Sequence, residues 1–342
     1  MLEIPTDKYL AHALDFSPEE QRFRDEFAEW LPDNLIDCHA HCNLPEHVLG
    51  MTDRARKHMF STFPGHSLDD SERIKKLFYP WKVVRSLRFA NVFRGIDHRS
   101  ANQYLLEESP TKDRIAVFGL PEDIEYTVGL LRHPRCSALK MYYSYLEPPA
   151  EKIYDIFRPE ILEEAQTLDI PLVLHLPKMI IFSLPDLLQM FRDFPRLRAV
   201  IAHLGSSKLV QPELFNAFEI VAKIGNISLD TSLNTSAEVV HMALSSFGSH
   251  RILFGSDEPL SLIRSAVFIH PEKGQRLATS YPYHWVDETE RAQFGHLASA
   301  SVHAHWQSLQ AIRNAINQFP EETRKGMKKR VFHDNAQSFF KF

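Results

Sequence analysis

The sequence is poor in the features that mark several protein classes. It contains three cysteines and 12 glycines among 342 residues. An odd and small number of cysteines gives no disulfide framework, and so little glycine argues against a collagenous or low-complexity chain. No apolar run reaches the roughly 18 residues that a membrane-spanning helix needs. With free thiols and no signal-peptide pattern, we expect a soluble protein of the cytoplasm.

The sequence also lacks a large excess of charge of either sign. The formal net charge is −5, and the basic residues are scattered along the chain. This distribution offers no electrostatic surface for nucleic acid or for a membrane. By contrast, 44% of the residues are hydrophobic and 11% are aromatic, which is enough for one large core. The expected partner is therefore a small-molecule substrate.

The most informative stretch is Asn34–His41, with the sequence NLIDCHAH. We interpret it as a short buried strand that ends in His39 and His41. Side chains at i and i+2 of a strand leave the same face, so the two imidazoles form half of a metal site. Cys38 between them is expected to point to the opposite face as an apolar filler, whereas Cys42 beyond the strand could approach the site.

The same tripeptide recurs at His303 and His305, and with 18 histidines in the chain one chance copy is expected. It lies in 301–316, whose apolar spacing is helical. Residues at i and i+2 of a helix do not face each other, so this second copy is interpreted as structural.

Seven further apolar, β-branched segments follow the first strand, at 83–89, 115–118, 138–142, 171–175, 199–203, 227–230 and 251–257. Between most of them lie segments with helical spacing, such as 123–133, 158–168, 184–194 and 212–224. Eight strands alternating with helices predict a parallel sheet covered by helices.

A doubly wound sheet has the same alternation, but the positions of the histidines favour a closed barrel. The residues at the carboxyl ends of strands one, five, six and eight are His39, His41, His175, His203 and Asp257. Only closure of the sheet brings strand eight beside strand one. We therefore predict a (β/α)8 barrel of the TIM type over residues 34–342. Residues 1–33 are predicted to be an N-terminal helical arm, with Ser17 as the cap of its helix.

Two long excursions leave the barrel at its carboxyl-terminal face, at 43–80 and 258–296. We expect them to act as lids and to form the walls of the substrate pocket. The second contains an aromatic cluster at 281–285 that could meet an apolar or planar part of a ligand. The arm and these aromatic loops also offer surfaces for a homodimer.

The strand ends supply a plausible ligand set for a divalent metal. His39, His41, His175 and Asp257 give three nitrogens and one oxygen, which suits zinc first and also manganese or iron. Asp257 is placed to touch both the metal and a water, and to carry the water's proton to a leaving group. His203 could be a ligand of a second metal, a proton donor or an electrophile that polarises a carbonyl.

Two cations are candidates for substrate binding. Lys140 lies on the fourth strand between Leu139 and Met141, so its side chain points opposite to theirs, which in a barrel could be into the site. It could bind a substrate carboxylate, bridge two metals if carbamylated, or extend to the rim. Arg88 on the second strand is a similar candidate for an anionic group.

These residues form a pattern that resembles a known family. The motifs are DCHAH at 37–41, LH at 174–175, AHLG at 202–205, FGSD at 254–257 and FHDNA at 332–336. In this order they resemble the amidohydrolase superfamily, in its amidohydrolase-related branch, which includes the aminocarboxymuconate semialdehyde decarboxylase group.

The resemblance implies that His39, His41, His175 and Asp257 ligate one metal and that His203 is the catalytic histidine. Members with two metals generally use a carbamylated lysine on strand four, where Lys140 lies. The sequence departs from the pattern at Glu258 and in its two excursions, which leave the substrate open.

The leading functional interpretation is a metal-dependent hydrolase in which activated water attacks an amide, a lactone or a related bond. The first alternative is a nonoxidative, metal-dependent decarboxylase of a small aromatic or enoic acid. A non-catalytic binding barrel is the remote alternative, because all five site residues are present.

Overall fold

The structure is a computed structural model that describes residues 15–49, 65–93, 95–143, 146, 148–272, 274–279 and 287–342. Eight parallel strands form one sheet in chain order. This arrangement confirms the predicted (β/α)8 barrel. The strands are β1 (Asn34–His41), β2 (Val83–Phe89), β3 (Arg114–Phe118), β4 (Cys136–Met141), β5 (Leu172–Leu174), β6 (Ala199–Ile201), β7 (Ile227–Asp230) and β8 (Ile252–Leu253).

Backbone hydrogen bonds between β1 and the segment from β8 onwards close the barrel. Cys38 N donates to Phe254 O at 3.0 Å, Asp257 N to His39 O at 2.8 Å, and His41 N to Glu258 O at 2.7 Å. The closure therefore runs through the residues of the predicted site. It places Asp257 directly beside the two histidines of β1.

Helices cover the outside of the barrel, and the predicted helical segments are found within a few residues of their expected ends. The helices are α1 (Pro18–Trp30), α2 (Leu68–Phe78), α3 (His98–Glu108), α4 (Ile124–Leu131), α5 (Ile153–Ile156), α6 (Pro159–Thr167), α7 (Ile180–Asp193), α8 (Leu214–Ala222), α9 (Ala237–Phe247), α10 (Glu288–Phe294), α11 (Ala304–Ile316), α12 (Glu321–Lys329) and α13 (Asn335–Phe339). Single turns of tighter helix occur at Pro45–His47, Ser249–Arg251 and Leu260–Leu262.

Apolar side chains fill the barrel in two layers. The outer layer packs between strands and helices, and the inner one fills the lumen with residues such as Phe89, Val173 and Leu253. Ala336 and Phe340 of the C-terminal helix join the inner layer. They close the amino-terminal end, because Arg198, just ahead of β6, stacks over Phe339 of the same helix. The opposite, carboxyl-terminal end stays available for a site.

The N-terminal helix α1 begins as the sequence predicts. Ser17 and Glu20 form a reciprocal capping box, with Pro18 in the first turn. The helix packs outside the barrel, where Phe27 stacks on Trp306 of α11 with ring centroids 6.1 Å apart. The division into an arm and a barrel domain stays a prediction.

Both excursions contain regular structure where they are described. The first holds α2, a helix that the polar sequence of this region did not suggest, capped by Ser67. The second holds the antiparallel pair β9 (Arg264–His270) and β10 (Gly274–Ala278), and β11 (Val302–His303) pairs with β9 on its other side. The aromatic cluster at 281–285 lies outside the described residues, so the lid function of both excursions stays a prediction. No described helix has the length and apolar character to cross a bilayer.

Candidate metal centre and catalytic cavity

The predicted ligands meet at the carboxyl-terminal end of the barrel. A cavity of 330 Å³ is lined by His39, His41, His175, His203 and Asp257. The histidines come from the ends of β1, β5 and β6, and Asp257 follows β8. Five strand-end residues from four distant segments of the sequence therefore border one space.

An irregularity in the hydrogen-bond register of β1 sets the direction of its two histidine side chains. The register against β2 shifts between Asp37 and Ala40. Both imidazoles lie against the lumen residue Phe89, with ring centroids 5.0 Å away for His39 and 4.6 Å for His41. Cys38 packs in the same inner layer as Phe89. The expectation that Cys38 points to the opposite face is thus wrong, because the irregularity breaks the strict alternation.

Hydrogen bonds at Nδ1 fix the orientation of all four imidazoles. Each acceptor is a carbonyl or carboxylate oxygen, so Nδ1 carries the proton and the lone pair of the neutral ring resides on Nε2. The distances from Nδ1 are 2.9 Å to Asp230 Oδ2 for His39, 3.1 Å to Ala90 O for His41, 2.9 Å to Leu176 O for His175 and 3.0 Å to Ser232 O for His203.

Burial keeps two of these rings neutral. Desolvation, together with the Lys140 ammonium, lowers the pKa of His39 to about 4. Desolvation and the neighbouring His203 hold the pKa of His175 well below its usual range. Neutral imidazoles are the form that binds a metal.

The tightest cluster consists of His39, His41 and Asp257. Asp257 Oδ1 lies 3.0 Å from His41 Nε2 and 3.3 Å from His39 Nε2. Ligand atoms of all three lie within 4.8 Å of one another. Among the described residues Oδ1 is buried without a hydrogen-bond partner. The Nε2 lone pairs of His39 and His41 thus lie next to a carboxylate oxygen in a buried site. Three such acceptors repel one another unless they share a cation, so the arrangement fits a metal ion.

His175 and His203 line the same cavity but are not members of the three-residue cluster. Their ring centroids are 5.0 Å apart, and His203 Nε2 lies 4.0 Å from Asp257 Oδ2. A left-handed turn follows β6, with φ of 56° at His203 and 69° at Gly205. Glycine is required in this turn, because a Cβ at Gly205 would lie 2.6 Å from Ile180 Cβ.

Lys140 projects into the cavity, as the alternation along β4 predicts. Leu139 and Met141 pack in the outer layer, whereas Ala138 belongs to the lumen. The ammonium is buried, lies 5.0 Å from the centre of the Phe89 ring, and has no hydrogen-bond partner among the described residues. Burial lowers the pKa of Lys140 to about 8.

Arg88 is not in the cavity, so the proposed substrate-binding role for it is wrong. Leu87 and Phe89 occupy the lumen, which turns Arg88 outward beneath α2. There Nε donates to Asp113 Oδ2 at 2.5 Å and Nη2 to Glu72 Oε1 at 2.7 Å. Cys42 is also outside, with Sγ 3.3 Å from Arg88 Nη1. Neither side chain can reach a substrate in the cavity.

Sequence analysis missed Asp230 at the end of β7. Its Oδ2 accepts from His39 Nδ1, and its Oδ1 accepts from the backbone N–H of His203 at 2.9 Å and of Ser232 at 3.0 Å. One buried carboxylate therefore orients a predicted ligand and the predicted catalytic histidine. The signal was present, because Asp230 ends an apolar strand just as the other site residues do.

Sequence analysis also missed a contact between His66 and Glu258, which joins the two excursions next to the site. His66 Nε2 and Glu258 Oε1 are 2.6 Å apart, and both side chains are buried. The backbone of His66 pairs with Asn43, and that of Glu258 accepts from His41. The pair thus connects the start of the second excursion to the first one.

Comparison with known proteins identifies the family of the chain. The amidohydrolase family profile matches residues 36–342. The chain belongs to the amidohydrolase family. No curated protein sequence matches it.

Several solved structures share the fold along nearly their whole length. An amidohydrolase from Burkholderia multivorans with bound zinc has 12% identity and a TM-score of 0.59, covering 90% of this chain and 99% of its own. A protein from Pseudomonas putida assigned as a 2-pyrone-4,6-dicarboxylic acid hydrolase has 14% identity and a TM-score of 0.55, covering 91% and 98%.

A decarboxylase has an equally similar structure. The 5-carboxyvanillate decarboxylase of Sphingomonas paucimobilis has 13% identity and a TM-score of 0.54, covering 91% of this chain and 100% of its own. At these identities the likeness establishes the fold and leaves the reaction to be argued from the site.

Proposed function

We propose that the protein is a metal-dependent hydrolase of a small carboxylated substrate, acting on an amide, lactone or related bond. The observation that carries this proposal is the position of Asp257. Its Oδ1 belongs to the cluster with His39 and His41, whereas its Oδ2 faces His203 Nε2 at 4.0 Å. One carboxylate thus combines a ligand position with a place for a proton.

His39, His41 and Asp257 would hold the metal, with His175 as the fourth ligand, and zinc suits this set of nitrogen and oxygen donors first. When bound, such a metal supplies a Lewis acid that makes water acidic and polarises a carbonyl. Manganese and iron remain compatible with the same donors.

The protein side chains supply the proton transfers. Asp257 Oδ2 is free of the ligand cluster and can accept a proton from the attacking water, then release it to the leaving group. His203 presents Nε2 to the same cavity and, once protonated there, can donate to the substrate oxygen that becomes negative. Ser232 and Asp230 fix the ring and the backbone of His203, so little reorganisation is needed.

Lys140 supports the choice of a carboxylated substrate. Its buried ammonium lines the same cavity as the ligand cluster, and its charge acts on His39 and Asp257, whereas Arg88 lies outside. A carboxylate bound there would pair the charge that burial otherwise disfavours. The names of the Pseudomonas putida and Sphingomonas paucimobilis proteins both refer to carboxylated compounds.

The buried ammonium of Lys140 in the cavity also favours the second candidate, a nonoxidative decarboxylase. A carboxylate held between Lys140 and the ligand cluster could be the group that leaves, with Asp257 or His203 delivering the proton that replaces it. Carbamylation of Lys140 would instead recruit a second metal. Metal content distinguishes this last possibility from the first two.

The test combines metal analysis with product analysis. The zinc-loaded protein is incubated with lactones, amides and aromatic carboxylates in water labelled with heavy oxygen. Incorporation of label without release of carbon dioxide supports the hydrolase, and release of carbon dioxide without incorporation supports the decarboxylase. Asp257→Asn should abolish either reaction, whereas the exposed control Asp25→Asn should not. Purified active protein without metal would contradict both.

A further inference from the structure

A second and larger cavity adjoins the catalytic one. Its volume is 560 Å³, against 330 Å³ for the space around the ligand cluster. The two cavities share Lys208, Leu233 and Leu260 as lining residues. Both volumes fall within the range of small-molecule sites in proteins. A molecule that extends past these three side chains would occupy both spaces.

The walls of the second cavity come largely from the excursion after Asp257. Phe268 of β9 and Leu277 of β10 form one side, and Phe294 at the end of α10 forms another. Ile263 and Leu209 complete an apolar lining. These elements are inserted between β8 and α11. Most of the wall of the second cavity is therefore not formed by the strand ends that carry the candidate site.

Three of the five charged residues that line the second cavity, Arg276, Asp287 and Glu290, have protein partners, and Arg291 is exposed to solvent. Arg276 Nε donates to Glu290 Oε2 at 3.0 Å. Asp287 caps α10, where its Oδ1 accepts from the backbone N–H of Thr289 at 2.8 Å and of Glu290 at 3.0 Å. Lys208, in contrast, lies on the wall that both cavities share. The space therefore suits an uncharged apolar group, with any anionic group nearer the catalytic side.

The shared wall is tied to the catalytic residues. Leu233 has a left-handed backbone with φ of 50°, which is unusual for a branched residue. It is held between Ser232, which contacts His203, and Asn234, whose side-chain amide donates to Ser207 O at 2.6 Å. The position of Leu233 between the two cavities is thus fixed by the same loop that begins at Asp230.

We propose that the second cavity binds an apolar tail of the substrate. The substrate would be amphiphilic, with a carboxylate and the reacting carbon in the catalytic cavity and an alkyl or aryl extension between β9, β10 and α10. This inference rests on the proposed function, because it takes the catalytic cavity as the place where the substrate reacts.

The test uses benzoate and its 4-butyl, 4-hexyl and 4-octyl derivatives as probes. Their dissociation constants for the zinc-loaded protein are measured by titration calorimetry. Affinity should rise about fourfold with each added methylene while the chain enters an apolar space. An equal affinity across the series would overturn the proposal.

Gly295→Trp provides the matched variant. Gly295 lines the second cavity, has φ of −60°, and an added Cβ would meet only Arg291 Cγ at 3.7 Å. The indole should fill the space and remove the dependence on chain length while leaving benzoate binding unchanged. The control Gly225→Trp precedes β7 at the other end of the barrel, where a Cβ meets nothing within 4 Å, and should keep the full dependence.

A second variant, Leu277→Glu, places a charge in the cavity at a position that is 39% exposed and tolerant of it. It should also remove the dependence on chain length. Retention of that dependence in both variants would mean that the tail lies elsewhere, and would overturn the proposal. Binding of benzoate without any gain along the series would reject the tail site alone. A gain along the series that is matched by equal affinities for the wild type and for Lys140→Met would support the tail site and reject the carboxylate contact of the proposed function.

Discussion

Asp230 Oδ2 accepts a hydrogen bond from His39 Nδ1 at 2.9 Å, and neither side chain is exposed to solvent. This bond places the lone pair of the imidazole on Nε2, 3.3 Å from Asp257 Oδ1. A carboxylate behind a ligand histidine also raises the basicity of the ring. Asp230 would therefore act on a bound metal through His39, and has the character of a positioning residue.

Replacing Asp230 by Asn tests this relationship. The amide retains the size of the side chain but removes its negative charge, so zinc should bind about 10- to 100-fold more weakly. The dissociation constant is measured by competition with a chromogenic chelator. The exposed Asp25→Asn variant is the control and should bind zinc as the wild type does. An unchanged zinc affinity in Asp230→Asn would contradict the assigned role.

The two His-x-His motifs allow a comparison within one chain. His41→Asn should reduce the metal content per chain and abolish the rise in melting temperature on adding zinc, because a bound ligand stabilises only the folded state. His305→Asn should keep both properties. Its ring is neutral, since burial lowers its pKa to about 3, and it lies 2.7 Å from Tyr79 Oη.

The second variant should nevertheless be less stable, by about 1–3 kcal/mol, because it disturbs a buried hydrogen bond. Elemental analysis and calorimetry measure the two effects separately. Loss of zinc from His305→Asn with retention in His41→Asn would reverse the interpretation of the motifs.

Arg88 has a structural role that stability measurements can separate from catalysis. Arg88→Met leaves the carboxylates of Asp113 and Glu72 without this partner, and should lower the free energy of unfolding by about 3–5 kcal/mol. The double variant with Asp113→Asn should recover part of that loss. Urea unfolding gives both values, with the exposed Arg22→Met as control. Full stability combined with a selective loss of turnover would instead return Arg88 to the substrate site.

Sequence patterns predicted the barrel and its strand ends well, because each of these features is local. A run of apolar residues followed by His or Asp specifies both a strand and the edge at which it stops. The parallel sheet then brings those edges together. His39, His41 and Asp257 were placed correctly for this reason, since closure alone puts β8 beside β1.

The direction of a side chain was harder to predict. Both faces of a barrel strand are buried, so the apolar pattern does not tell which residues face the lumen. The alternation of side chains along a strand was used to place both Lys140 and Arg88 in the site. It was right for Lys140 and failed for Arg88, whose neighbours Leu87 and Phe89 occupy the lumen. The irregularity in β1 had no signature in the sequence, and it turned Cys38 inward. Asp230 was missed although its pattern matched that of Asp257.

The contact between the arm and the barrel predicts a dependence of stability on acid. Glu20 is buried beside His303, with Glu20 Oε1 2.5 Å from His303 Nδ1. Burial by itself would raise the pKa of Glu20, but the hydrogen bond and charge of His303, with the backbone bonds at Ser17 and His303, lower it to about 2. The unfolded chain takes up this proton near pH 4.5, the ordinary value for Glu.

The unfolded state therefore binds more protons than the folded state between about pH 4.5 and 2, and stability should fall as the pH falls through this window. The stabilisation from this carboxylate is fully present above pH 4.5 and should be on the order of 3 kcal/mol. Glu20→Gln should be less stable at neutral pH and should show a shallower loss on acidification. Unfolding by urea at a series of pH values measures both effects. Exposed Glu19→Gln, in the same first turn of α1, is the control and should keep the steep loss, so equal slopes in the two variants would show that Glu20 is not the linked group.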